Sequence, residues 1–151
     1  MRRVLGLLAA ATLAVAPIAP AAAQSNVTKD AISQTLEMQG YSVREFQPNM
    51  IAVEVGEVTV LVGVFGSDGD ISYFTYLNQI SLNEVSHEFL SRFNSEVKFG
   101  RAYIDRDGDV TIQMDRNASG GISLKNIESD FDVFLLLVSK FLSDIERRGS
   151  V

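Results

Sequence analysis

Leu124, Ile127, Phe131, Phe134, Leu135, Val138, Phe141, Leu142 and Ile145 trace one broad apolar face at helical spacing near the end of the chain. This is the largest hydrophobic element in the domain, and a face of that width must lie along a sheet. The upstream residues therefore have to supply that sheet. Ser123 stands where a helix cap belongs, and Asn117 to Gly121 form the loop before it.

Thr28 can cap a first helix running to about Gln39, with Gly40 in the left-handed place that ends it. Its stripe is Ala31, Ile32, Leu36 and Met38. A brief strand around Tyr41 to Phe46 can follow, stopped by Pro48. Ile51, Val53 and Val55 then alternate with Ala52 and Glu54, and Gly56-Glu57 makes a tight turn. Val58 to Phe65 pairs with Ile71 to Leu77 around Ser67-Asp68-Gly69-Asp70. Ser81-Leu82-Asn83-Glu84 is a capping-box pattern, and the helix behind it carries Val85, Phe89, Leu90 and Phe93.

A second hairpin joins Phe99–Asp105 to Val110–Asp115 around Arg106-Asp107-Gly108. A two-residue Asp-Gly loop would place Arg101 and Asp105 on the face of Val110, Ile112 and Met114. A three-residue loop with Gly108 left-handed instead aligns Gly100, Ala102 and Ile104 with those residues. The second register buries only apolar groups and is preferred. The predicted fold class is α+β: an antiparallel sheet of five to six strands packed with three helices, in the order α-β-β-β-α-β-β-α.

The start of the chain points to export. Arg2 and Arg3 precede an apolar run from Val4 to Ala16, Pro17 and Pro20 break it, and Ala21-Ala22-Ala23 forms a cleavage site before Gln24. An uncleaved anchor is the alternative, since residues 4–23 approach the length of a membrane span. The prolines and the polar Gln-Ser-Asn stretch fit processing better. The expected organisation is a cleaved signal at 1–23 and a single domain at 24–151, periplasmic or secreted, with no membrane anchor after cleavage.

No cysteine occurs, so disulfides, thiolate metal sites and thiol nucleophiles are excluded. Losing Arg2 and Arg3 leaves 11 basic against 19 acidic residues, a net charge of −8. Such a balance repels phosphate backbones and argues against nucleic acid as a partner.

Asp105, Asp107 and Asp109 around Gly108 suggest a calcium loop only at first sight. Counting from Asp105, glycine comes fourth instead of sixth, and Arg116 stands twelfth where a bidentate glutamate is needed. The Asp-Gly-Asp of the other hairpin is the same turn chemistry. His87 is the only histidine and lacks the partners a triad or metal site requires. Asp130 and Asp132 fall early in the last helix, where the macrodipole favours negative charge. Gly120-Gly121 reads as a loop built for close backbone contact, since no Walker lysine accompanies it. No residue is assigned a catalytic or metal-binding role, and no cofactor is expected.

The central hairpin is different. Val58, Val60, Val62 and Val64 occupy one face, yet Leu61 and Phe65 occupy the other; on the partner strand Ile71, Tyr73 and Leu77 alternate with Ser72, Phe74 and Tyr76, and either turn register leaves large apolar groups on both faces. A one-sided antiparallel sheet should alternate apolar with polar. Helices can cover one side, and a twin subunit or a bound peptide the other. Alternatively, the three helices or a curled sheet cover both within one chain. Leu61, Phe65, Phe74 and Tyr76 are the candidate partner-binding residues.

Asn94, then Phe99-Gly100-Arg101-Ala102-Tyr103, then Asp105-Arg106-Asp107-Gly108-Asp109, then Gly120-Gly121-Ile122 before a long apolar helix, together resemble the YbjN-domain family. The resemblance spans residues 28 to 146 and is most specific between Asn94 and Ile122. It implies a fold like that of type III secretion chaperones, often dimeric, in a family described as bacterial sensory-transduction regulators. It supplies no catalytic residue. The export signal departs from many members and from a cytoplasmic chaperone role. The expected function is that of an exported, non-enzymatic protein-binding or regulatory domain, with a protein partner or self-association as a homodimer. The alternative is a small-molecule or lipid carrier using the cleft between the sheet and the last helix.

Overall fold

The computed structural model describes residues 27–80 and 85–149. The signal pattern and the Ser81–Glu84 capping box lie outside the described residues. In chain order the elements are α1 (Lys29–Met38), β1 (Ser42–Gln47), β2 (Met50–Val55), β3 (Val58–Phe65), β4 (Asp70–Tyr76), α2 (His87–Glu96), β5 (Gly100–Ile104), β6 (Val110–Arg116) and α3 (Leu124–Gly149). The strands make one antiparallel sheet in the order β1-β2-β3-β4-β6-β5. The optional strand after α1 is thus formed, as β1, and the fold is α+β.

Local chemistry sets most boundaries. The Thr28 hydroxyl accepts from the Ala31 N–H at 3.2 Å to open α1, and Gly40 at φ +93° closes it. Along α1 the inward places go to Ile32, Thr35 and Leu36. Met38 points out, 81% exposed, and Thr35 hides its hydroxyl on the Ala31 carbonyl at 2.8 Å. The cap of α2 is Ser86, which accepts from the Phe89 N–H at 3.2 Å, so buried Val85 precedes the helix. Ser123 caps α3 by accepting from the Asn126 N–H at 3.2 Å, and Asn126 Oδ1 accepts in return from the Ser123 N–H at 3.0 Å.

The second hairpin has the apolar register. Gly100 opposes Met114, Ala102 opposes Ile112 and Ile104 opposes Val110, around a loop with Gly108 at φ +91°. Asp105 Oδ1 accepts from the Asp107 and Asp109 N–H groups at 3.0 and 2.9 Å, and Oδ2 accepts from the Thr111 hydroxyl at 3.3 Å. That carboxylate is a turn-former. β5 begins one residue later than the sequence suggests, because Phe99 adopts φ +70° while its side chain stays 77% exposed. A bulky residue in that conformation costs on the order of 1–3 kcal/mol.

The core occupies one side of the sheet. α1 packs on β1, β2 and α3, α2 sits beside β5, and α3 runs across β4 and β6. Between these layers Tyr73 stacks on Phe134 at 5.9 Å, Tyr41 meets Phe131 edge-on at 5.0 Å, and Phe89 and Phe93 both stand edge-on to Phe141. Most of the predicted face of α3 is buried here. Leu124 is exposed instead, while Leu137, outside the predicted stripe, is buried and packs behind Gly100. Gly120 and Gly121 have φ of +87° and +90°, and nothing lies within 4 Å of a Cβ placed on Gly120. Both serve a left-handed loop, and Gly120 makes no close contact.

Candidate functional site

The three helices among the described residues lie on one face, which leaves the other to the strands' own side chains. Reading across the sheet, Arg44 opposes Ala52, Ala52 opposes Leu61, Leu61 opposes Phe74, and Phe74 opposes Gln113, which faces Arg101. The row runs from charge through three apolar residues to charge again. A parallel row places Met50, Gly63, Ser72 and Asp115 side by side. Ala52 and Leu61 are buried, yet they do not belong to the helix-side core.

The four predicted partner-binding residues are brought together on this face, with graded exposure. Leu61 is 5% exposed, Phe65 and Phe74 are half-buried, and Tyr76 is 46% exposed. The Phe65 ring folds back over Gly63, where an added Cβ would meet it at 2.5 Å, and stands perpendicular to Phe74 at 6.4 Å. Gly63 therefore gives the aromatic ring a floor. Sequence reading missed Met50, Ala52 and this use of Gly63; the glycine interrupting a valine strand was the available signal.

Polar groups frame the band on both sides. Asp115 accepts from Ser72 Oγ at 2.7 Å and from Gln113 Nε2 at 2.9 Å, and pairs with Arg101 at 3.1 Å. The Tyr103 hydroxyl donates to Gln113 Oε1 at 2.8 Å, and burial pushes its pKa up, against the pull of Arg101. On the other flank Glu54 accepts from Thr59 Oγ1 at 2.8 Å and from Arg44 Nε at 3.4 Å.

Both sheet edges are obstructed. On β5, Asn94 donates to the Ala102 carbonyl at 3.0 Å and accepts from its N–H at 2.8 Å, so the amide side chain takes the place of a neighbouring strand. On β1 the register breaks between Glu45 and Gln47, and Lys29 of α1 pairs with Glu45. A bulge and charges are ordinary means of discouraging strand addition. What remains accessible is the face.

His87 is exposed at the start of α2. Among the described residues, no group of three or more His, Cys, Asp or Glu side chains is placed to hold a metal ion. Asp130 does not act through the α3 dipole. It is buried and takes a forked pair of hydrogen bonds from Arg116, through Nε at 2.6 Å and through Nη2, tying β6 to α3. Hydrogen bonding to Asp130 raises the pKa of Arg116.

The sequence matches the family model described as "Putative bacterial sensory transduction regulator", YbjN, over residues 28–147. The chain belongs to the YbjN family. Among solved structures, YbjN from E. coli, titled "a putative transcription regulator", superposes with a TM-score of 0.66 at 13% identity, covering 83% of this chain and 96% of that one. An uncharacterized protein from Methanothermobacter thermautotrophicus gives 0.54 at 14% identity, covering 81% and 99%. At those identities the likeness is one of fold. No curated protein matches the sequence. The family description names a regulator and no reaction. Asn94, the first residue of the family resemblance, is the side chain that closes the β5 edge. Among the described residues, no helix is long and apolar enough to cross a membrane.

Proposed function

We propose that this chain is an exported, non-enzymatic regulatory domain that binds protein on the open face of its sheet. One observation carries the reading: Leu61, Phe65, Phe74 and Tyr76 form a band that none of the described helices covers, framed by acid–base pairs, on a sheet whose edges are both obstructed. Contiguous apolar surface rimmed by polar groups is the usual form of a protein interaction site. The family description as a regulator supports the same reading. Export rests on the Arg2-Arg3 start, the apolar run and the alanine cleavage site. The occupant is a protein surface with apolar side chains at its centre and charged groups at its rim, and a second copy of this chain is its simplest form.

A photo-crosslinking residue placed at Tyr76 in the cell envelope tests this directly. The control position is Met38, equally apolar and more exposed, on α1 away from the band. Specific protein adducts are expected from position 76 and not from 38. Equal labelling at the two positions, or none at 76, ends the proposal. The size of the adduct separates a twin subunit from another partner.

A further inference from the structure

Gly63 is buried, although it lies in a strand whose outer face the described helices leave open. Its cover there is the chain's own Phe65. A Cβ built on Gly63 would stand 2.5 Å from Phe65 Cε2 and 2.7 Å from Cζ, so the far edge of the ring rests where a side chain of β3 would otherwise begin. Met50 Cγ, 3.0 Å from the same point, closes the β2 side. In the register Gly63 faces Met50 on β2 and Ser72 on β4, and Leu61 faces Phe74 beside them. The glycine thus leaves a shallow seat, one ring wide, in the middle of the band. Phe65 fills it.

The backbone does not fix the ring there. Phe65 is the last residue of β3, and Gly66 follows it at φ +69°. Its ring is half-buried and meets Phe74 edge-on at 6.4 Å. Rotation about its own side-chain bonds carries the ring off Gly63 and into solvent with the strand pairing intact.

The side chain that now fills the seat shows what else fits it. We propose that Phe65 is an autoinhibitory plug: its ring occupies the anchor point of the band, and a partner displaces it with an aromatic side chain of its own. This rests on the protein-binding reading of the same face and adds its regulation. Interface anchors are commonly aromatic side chains seated in pockets near the centre of the patch. A plugged seat is open in only a fraction of molecules, and apparent affinity falls by that fraction. An open fraction of about a tenth weakens the partner about tenfold.

The test separates the seat from the partner. Toluene, the phenylalanine side chain as a free molecule, is titrated into isotope-labelled protein and followed by amide chemical shifts. Phe65→Ala is expected to give saturable shifts at Met50, Gly63 and Ser72 and to bind toluene about tenfold more tightly than the wild type. Adding Gly63→Ala to it should abolish that binding, because the new methyl stands in the seat. Phe65→Leu keeps a large apolar residue at the end of β3, should fall between the two, and carries the test where Phe65→Ala does not fold. Photo-crosslinking at position 76 is the partner arm, and Phe65→Ala should raise the adduct yield several-fold. Equal toluene affinity in wild type and variant, shifts away from Gly63, or a lower adduct yield in Phe65→Ala overturns the plug and leaves the protein-binding reading standing. No adduct at position 76 from either protein overturns both, even where toluene binds.

Discussion

Tyr73 and Phe74 are neighbours on β4 and occupy opposite kinds of environment. Tyr73 is sealed beneath α3, stacked on Phe134, among residues contributed by every layer of the fold. Phe74 lies on the side that the described helices leave open, half-buried, with the Phe65 ring edge-on beside it and polar rims beyond. The same strands build both faces, so the difference does not come from β propensity. It comes from where the helices lie. One face holds the protein together, and the other is left apolar without being needed for that purpose.

If that division is right, equal truncations on the two faces must have unequal costs. Phe134→Ala removes a ring buried on all sides and is expected to cost about 3–5 kcal/mol. Phe74→Ala removes a ring already partly in water and should cost roughly 1 kcal/mol. Urea unfolding of the two variants measures the contrast. Similar losses would make the open face part of the core and remove the reason to regard it as a binding surface.

The two strand glycines sharpen the comparison at smaller scale. A methyl added to Gly100 would lie 2.5 Å from Leu137 Cδ1 and 3.0 Å from the Gln113 carbonyl oxygen, in the packed layer beneath α3. Neither neighbour can move freely, so Gly100→Ala should cost about 1–3 kcal/mol by overpacking. A methyl on Gly63 meets the far edge of the Phe65 ring at 2.5 Å, and that ring can swing toward solvent. Gly63→Ala should therefore change stability by less than about 1 kcal/mol, because the lost floor is offset by lower unfolded-state entropy. Its expected effect is on photo-crosslinking at position 76, since the aromatic surface is rearranged while the fold stands. A large loss of stability in Gly63→Ala would show that the Phe65 ring is locked in place.

Much of this was legible in the sequence. Alternation gave β2 and β3, Gly108 and the apolar match gave the register of the last hairpin, and Thr28 and Ser123 gave two caps that the geometry realises. Strand period alone pairs Leu61 with Phe65 and Phe74 with Tyr76, and the observed register sets the two pairs on a common side. Less could be read where the determinant is a partner distant in sequence. Nothing local tells Asp130 to pair with Arg116 of β6 instead of the α3 dipole, nor Asn94 to bond across to Ala102. Leu124 and Leu137 traded places because periodicity defines a face but not where along it the sheet ends. The left-handed Phe99 defied reading altogether, since sequence rules assign that conformation to Gly100 next to it.

A further expected effect concerns a polar atom carried into the covered face without a partner. The Tyr73 hydroxyl is buried with no hydrogen-bond partner among the described residues. Burial pushes its pKa well above the ordinary tyrosine value; Asp130 adds to the shift and Arg116 opposes it. A group whose folded-state pKa is raised contributes stability that is present below its unfolded value and lost as pH climbs beyond it. The unfolded chain releases that proton near pH ~10, so stability should fall above there by roughly 1.4 kcal/mol per pH unit through this residue. Tyr73→Phe keeps the ring on Phe134 and removes the hydroxyl. It should gain roughly 1 kcal/mol at neutral pH, where an unpartnered polar atom is lost, and should flatten the alkaline decline. Urea midpoints for both proteins, taken at neutral pH and again above pH ~10, decide the matter. Parallel declines would mean that the hydroxyl reaches solvent or a partner, and that the helix-covered side is less completely closed than its packing implies.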